Sequence, residues 1–173
     1  DDKLSGFQKS DLIILAARPS MGKTALALNL ARNAAVNYDH KVGIFSLEMS
    51  MQQLAERLLT SEARVDSHLV RTGKLAKPEW KHIPEAADKL VGADIFIDDS
   101  AGLSIMELRA KARQLVSEEE IEILFIDYIQ LLSAGRKFES RQQEISYISR
   151  SLKALAKELN IPIVALSQLS RAP

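Results

Sequence analysis

The 173-residue chain contains no cysteine. That excludes disulfides, thiolate zinc sites, iron–sulfur clusters and a cysteine nucleophile together, and it fits a reducing compartment. Histidine is scarce: His40, His68 and His82 are scattered along the chain, which argues against a His-rich metal site. Net charge is also missing, since 23 Lys and Arg balance 23 Asp and Glu. A polybasic nucleic-acid tail and an acidic tail are therefore excluded. No apolar run reaches the ~18 residues that a membrane span needs. The opening DDKLSGFQKS has neither the basic start nor the apolar centre of a signal peptide. These absences predict a soluble, cytoplasmic protein with no membrane partner. Repeats, low-complexity stretches and interdomain linkers are lacking too, and the length suggests one domain. The chain starts at Asp1 rather than Met and stops at Arg171, Ala172 and Pro173, as a piece of a longer protein would.

What is present suits a packed core, with 46% hydrophobic and 27% charged residues. Five short apolar runs stand out: Leu12 to Ala16, Val42 to Leu47, Ile95 to Ile97, Ile121 to Ile126 and Ile161 to Leu166. None alternates cleanly, so each reads as a strand buried on both faces, the pattern of a parallel sheet. The stretches between them read as helices. Ala25 to Val36 is rich in Ala and Leu, and Ser50 with Gln53 and Ser104 with Glu107 are capping-box signatures. In the last helix Ile145, Ile148, Leu152, Leu155 and Leu159 recur at steps of three and four, before Asn160 and Pro162 supply a stop. Pro78 and Pro84 divide the segment from Arg71 to Leu90 into two short pieces. Strands alternating with helices predict a doubly wound, mostly parallel α/β sheet.

The first strand runs through Ala17-Arg18-Pro19-Ser20-Met21-Gly22-Lys23-Thr24 into a helix, the context a phosphate-binding loop requires. Backbone amides of Ser20, Met21, Gly22, Lys23, Thr24 and Ala25 are placed to converge on an anion at the positive end of that helix. Lys23 would reach the β- and γ-phosphates of ATP, and the Thr24 hydroxyl would ligate Mg2+. Gly22 lets the backbone approach closely. Ala17 stands where the motif ordinarily has its first glycine, so the turn there must tolerate a methyl group.

A phosphate loop needs a carboxylate partner for its metal, and two strands end in one. Asp127 closes a longer strand that is followed by the apolar Tyr128 to Leu132, which suggests a buried place beside the phosphate loop. Asp98 and Asp99 precede Ser100, Ala101 and Gly102 and read more simply as a strand exit and turn. Asp127 is therefore the expected metal-site carboxylate. Hydrolysis also needs a group to deprotonate the attacking water, and Glu48, at the carboxyl end of the second strand, is the best base available. Gln168 at the end of the last strand could sense a γ-phosphate, or be an ordinary solvated loop residue. Arg136, Lys137 and Arg141 flank Phe138 and could touch a nucleic-acid backbone, or form a plain basic loop.

Taken together, ARPSMGKTALALNLARNAA, FSLEMS followed by QLAERLL, ILFIDYIQLL, and SRQQEISYISRSLKALAKELNIPIVALSQLSR resemble the C-terminal motor domain of the bacterial replicative DNA helicases, the DnaB family of the RecA-like P-loop group. The resemblance spans nearly the whole chain. It implies a RecA-like fold in which Lys23 and Thr24 bind phosphate and Mg2+, Glu48 is the catalytic base and Asp127 is the metal-site carboxylate. It also implies that Gln168 couples the γ-phosphate to DNA-contacting loops, and that the Arg136–Arg141 loop faces the channel of a homo-hexameric ring around single-stranded DNA. Arg57 matches a recurring arginine of the family, and a surface role is equally open. Primase and a helicase loader are the implied protein partners. Family members carry an N-terminal domain before this segment and further strands with a trans-acting Arg/Lys finger after it, so residues 1–173 are expected to be a single incomplete core with little activity alone. Two rivals remain at this level: a RecA/RadA-type recombinase, opposed by Ala-Arg-Pro-Ser and the Gln-Gln-Glu-Ile-Ser helix, and a non-catalytic ATP-dependent switch or loader, opposed by Glu48.

Overall fold

The computed structural model describes residues 6–169. Ser170 and Arg171, the end of the family-like LSQLSR segment, lie outside the described residues. Five parallel strands form one sheet: β1 (Leu12–Ala17), β2 (Val42–Ser46), β3 (Ile95–Asp98), β4 (Ile123–Asp127) and β5 (Ile163–Gln168), in the order β1-β5-β4-β2-β3. The apolar runs thus mark all five strands. The expectation of burial on both faces is corrected at the two edges, where β1 and β3 are half-covered and Ile14 is 46% exposed. An edge strand has one neighbour and less helix over it, and periodicity alone does not reveal position in the sheet.

Helices α1 (Lys23–Arg32), α2 (Met51–Ala63), α3 (Ser67–Arg71), α4 (His82–Val91), α5 (Ile105–Glu119) and α6 (Arg141–Leu159) complete the fold. Alternate strand residues point to opposite faces. Ile123 and Phe125 pack in one cluster with Leu28 and Ala31 of α1 and Leu54 and Leu58 of α2, and Leu124 and Ile126 pack in the other with Leu108 of α5 and Leu152 and Leu155 of α6. Two helical layers around one parallel sheet make the predicted doubly wound arrangement. In β2, a Cβ at Gly43 would come within 2.8 Å of Leu124 Cδ1, so this glycine lets the two strands' side chains fit.

Local signals account for the helix ends. Both capping boxes form, Ser50 with Gln53 and Ser104 with Glu107. α6 starts four residues before its first apolar position because Ser140 caps the amide of Gln143, and it ends where Asn160 takes a left-handed conformation. The Arg71–Leu90 segment does divide in two, a single 3-10 turn over Glu79–Lys81 and then α4, with Pro84 inside the first turn where no amide is needed.

α4 is fastened by charge as well as by packing. The Glu62 carboxylate on α2, only 2% exposed, is paired with Arg32 of α1 and lies 3.0 Å from Lys89 of α4. Burial pushes its pKa up, but hydrogen bonds from Lys89 and Arg32 outweigh that and hold it below the ordinary 4.5. A carboxyl lowered on folding stabilises the native state above its unfolded value and loses that contribution as pH falls through the lowered one. Glu62→Gln should therefore cost about 2 kcal/mol at neutral pH. The gap between the denaturation midpoints of the two proteins should stay constant above about pH 4.5 and close below it; a gap that does not depend on pH would show that the charge is not what fastens α4.

Candidate functional site

The loop that leaves β1 turns twice through left-handed backbone, at Ser20 (φ 63°) and Gly22 (φ 81°), and Gly22 caps α1. Ala17 is still in the strand, paired with Gln168, and its carbonyl accepts from the Leu169 amide at 3.0 Å. The methyl group at the position of the missing glycine is tolerated because the strained turns fall further along. Gly22 is different: a side chain there would meet no atom but would be forced into left-handed backbone.

Two side chains at the start of α1 reach across to the end of β4. The Thr24 hydroxyl donates to Asp127 Oδ2 at 2.6 Å, and Lys23 Nζ lies 3.9 Å from Asp127 Oδ1 and 4.5 Å from the centroid of the Tyr128 ring. Asp127 is 6% exposed. The approach to Thr24 is direct. The carboxylate thus lies beside the phosphate loop, as expected, although β5 is inserted between β1 and β4. The loop arches over the end of β5 to reach it.

Asp98 is engaged elsewhere. Its carboxylate lies 2.6 Å from Lys111 on α5 and accepts from the Ser100 amide. Partial burial raises its pKa, and these hydrogen bonds more than reverse the effect. Asp99 accepts from the Met51 amide at 2.7 Å, at the start of α2. Neither is near Thr24 by any contact, so the strand-exit reading describes them.

The remaining predicted residues gather at the carboxyl ends of the strands. A cleft of about 740 Å3 is lined by Ser20, Gly22, Lys23, Thr24 and Ala25 of the loop and helix, together with Glu48, Arg57, Tyr128 and Gln168. Glu48 is brought there by backbone pairing, since the Leu47 amide donates to the Asp127 carbonyl at 2.7 Å. Met21 is in the same loop and 73% exposed. Arg136 and Lys137 are exposed on the segment between β4 and α6, and Arg141 is exposed at the start of α6, all apart from this lining. Arg136 stacks over Phe138 and Tyr147, at 4.9 and 4.2 Å from their centroids. Arg141 bonds the Gln130 carbonyl and Glu144.

The sequence did not reveal Tyr128, which lines the cleft beneath the Lys23 ammonium, or Gln130, which lies outside that lining and bonds the end of β5. Gln130 carried a signal, as the one amide in the otherwise apolar stretch that follows Asp127.

The donor set suits a hard divalent cation. Asp127 Oδ1 is buried without a hydrogen-bond partner, next to a threonine hydroxyl. Among the described residues no cluster of three or more His, Cys, Asp or Glu could hold a metal on protein ligands alone. That combination fits Mg2+, which takes one or two protein oxygens and completes its shell with water and phosphate.

Comparison with known proteins gives a consistent pattern. Residues 1–173 match the family described as DnaB-like helicase C-terminal domain. The chain is 52% identical over 173 residues to the replicative DNA helicase DnaB of Geobacillus stearothermophilus, covering 99% of this chain and 38% of that protein. It is 48% identical over 172 residues to the replicative DNA helicase DnaC of Bacillus subtilis, with the same coverage. It therefore spans well under half the length of these relatives. Among solved structures, a DnaB-like replicative helicase described with its primase interactions superposes with a TM-score of 0.88 at 35% identity, over 95% of this chain and 40% of that one. A solved ATPase domain gives 0.87 at 35% identity, over 95% and 59%. The fold is thus RecA-like, as the resemblance implied.

If Asp127 orients the metal-ligating hydroxyl of Thr24, Asp127→Asn should raise the Mg2+ concentration needed for tight binding of a fluorescent ATP analogue by roughly 10- to 100-fold. Asp98→Asn should leave that requirement unchanged. A larger effect at Asp98 would reverse the assignment.

Proposed function

The chain belongs to the DnaB-like helicase C-terminal domain family, and on that premise we propose that residues 1–173 form the core of an ATP-hydrolysing motor that translocates on single-stranded DNA and unwinds duplex DNA. The observation that carries the reading is the 2.6 Å contact between Thr24, in the cleft lined by Glu48 and Gln168, and the buried carboxylate of Asp127, which ties the phosphate loop to the end of β4.

In this reading the amides from Ser20 to Ala25 cradle the phosphates of ATP, and the Lys23 ammonium neutralises charge on the β- and γ-groups. Thr24 and Asp127 would hold Mg2+, which when bound supplies further charge neutralisation to the phosphates. Glu48 accepts a proton from the attacking water as its oxygen bonds to the γ-phosphorus and the bond to the departing ADP breaks. Gln168, at the end of a central strand, meets the γ-phosphate and relays its presence. Arg136 and Lys137 face single-stranded DNA in a homo-hexameric ring, where each site draws a further cation from its neighbour. Primase and a loader are the protein partners we propose, with action in the cytoplasm; among the described residues no helix is long and apolar enough to cross a membrane.

The roles separate experimentally in the full-length protein. Lys23→Ala should abolish nucleotide binding or turnover. Glu48→Gln should bind ATP normally and lose on the order of 10²- to 10⁴-fold in hydrolysis, with strand displacement lost in parallel. Equal loss of ATP affinity in the two variants would contradict the assignment.

A further inference from the structure

The pairing of β4 with β5 stops at Ile126 and Ala165, whereas β5 continues to Gln168 against β1 on its other side. On the side that β4 has left, the last peptide of β5 is completed by a side chain. Gln130 Oε1 accepts from the Gln168 amide at 3.1 Å, while its Nε2 donates to the Gln168 carbonyl at 3.1 Å and to Ser167 Oγ at 2.8 Å. The Gln130 carboxamide therefore replaces the missing ladder rung at the residue whose side chain lines the nucleotide cleft.

The backbone of Gln130 is held in turn from the opposite direction. Arg141, the first residue of α6, donates to the Gln130 carbonyl and to Glu144. Glu144 accepts from the Ala134 amide at 3.1 Å, at the root of the basic segment. Its carboxyl is held below the ordinary range by the Ala134 amide and Arg141. A continuous run of hydrogen bonds thus leads from Gln168 through Gln130, Arg141 and Glu144 to the loop that carries Arg136 and Lys137.

We propose that Gln130 and Arg141 are positioning residues, forming a polar strut through which the γ-phosphate state at Gln168 and the occupancy of the basic loop by single-stranded DNA influence each other. Arg141 serves here as a link rather than as a DNA ligand, because two acceptors of the protein already engage its guanidinium. The inference rests on the motor reading above.

The test compares ATP turnover with and without single-stranded DNA in the full-length protein and in Gln130→Ala, Arg141→Ala and the double variant, with ATP and DNA affinities measured alongside. Gln130→Ala should reduce the DNA stimulation of turnover at least fivefold. Its unstimulated turnover and ATP affinity should stay within twofold, a split that general destabilisation would not produce. Arg141→Ala should lose stimulation while retaining its affinity for DNA. The double variant should lose no more than the worse single one, because one strut broken twice is still one strut. Stimulation retained in Gln130→Ala, losses that multiply in the double variant, or DNA affinity that collapses in Arg141→Ala would each overturn the proposal. A wild-type protein with no DNA-stimulated turnover would overturn the motor reading, and this inference with it.

Discussion

A buried carboxylate cannot stand alone, and the architecture of the site follows from where Asp127 finds its partners. At 6% exposure its charge needs compensation, which comes from the Thr24 hydroxyl and the Lys23 ammonium, about a hundred residues earlier in the chain. Both belong to the first turn of α1, so their contact with Asp127 fixes the phosphate loop over the end of β5. The same residue secures the other side of the cleft. Its carbonyl accepts from Leu47, which sets the end of β2, and so Glu48, beside the loop. One residue at the end of a central strand therefore organises the proposed phosphate cradle, the proposed metal ligands and the proposed base.

The insertion of β5 between β1 and β4 gives this arrangement a second consequence. Had the two strands been neighbours, the loop would have met the carboxylate without crossing the end of another strand. With β5 between them, any group bridging the loop and Asp127 lies over the end of β5, where Gln168 emerges. The γ-phosphate sensor proposed at that place needs a fixed backbone, and Gln130 fixes it where the β4 ladder has ended. Topology thus explains why a glutamine just after Asp127 has structural work to do.

Much of this was legible in the sequence, for definable reasons. Buried parallel strands are written as unbroken apolar runs, so all five were found; helix caps are local chemistry, so both capping boxes and the Asn160 stop were found as well. The loop after β1, Asp127 and Glu48 were singled out by residue type at the ends of strands, and the structure brings the loop into contact with Asp127 and sets Glu48 in the adjoining cleft. Strand order was not legible, since it depends on which hydrophobic faces meet across the whole chain. Tyr128 read as part of an apolar stretch because its ring is defined by what lies above it. Arg141 read only as one of three basic residues in a loop, because a glutamate and a backbone carbonyl mark nothing as its acceptors until the fold brings them together. The recombinase alternative was a question of family rather than of fold, and the match to DnaB-like helicases over residues 1–173 decides it.

The central claim is that the phosphate loop and Asp127 share one metal ion. Affinity cleavage tests it most directly: Fe2+ replaces Mg2+ in the ATP-bound full-length protein, and ascorbate with peroxide then generates hydroxyl radicals that cut the backbone near the bound iron. The account predicts ATP-dependent cuts in two separate segments, around Thr24 and around Asp127, both suppressed by excess Mg2+. Cuts around Asp98 in place of Asp127, or around Thr24 alone, would contradict it.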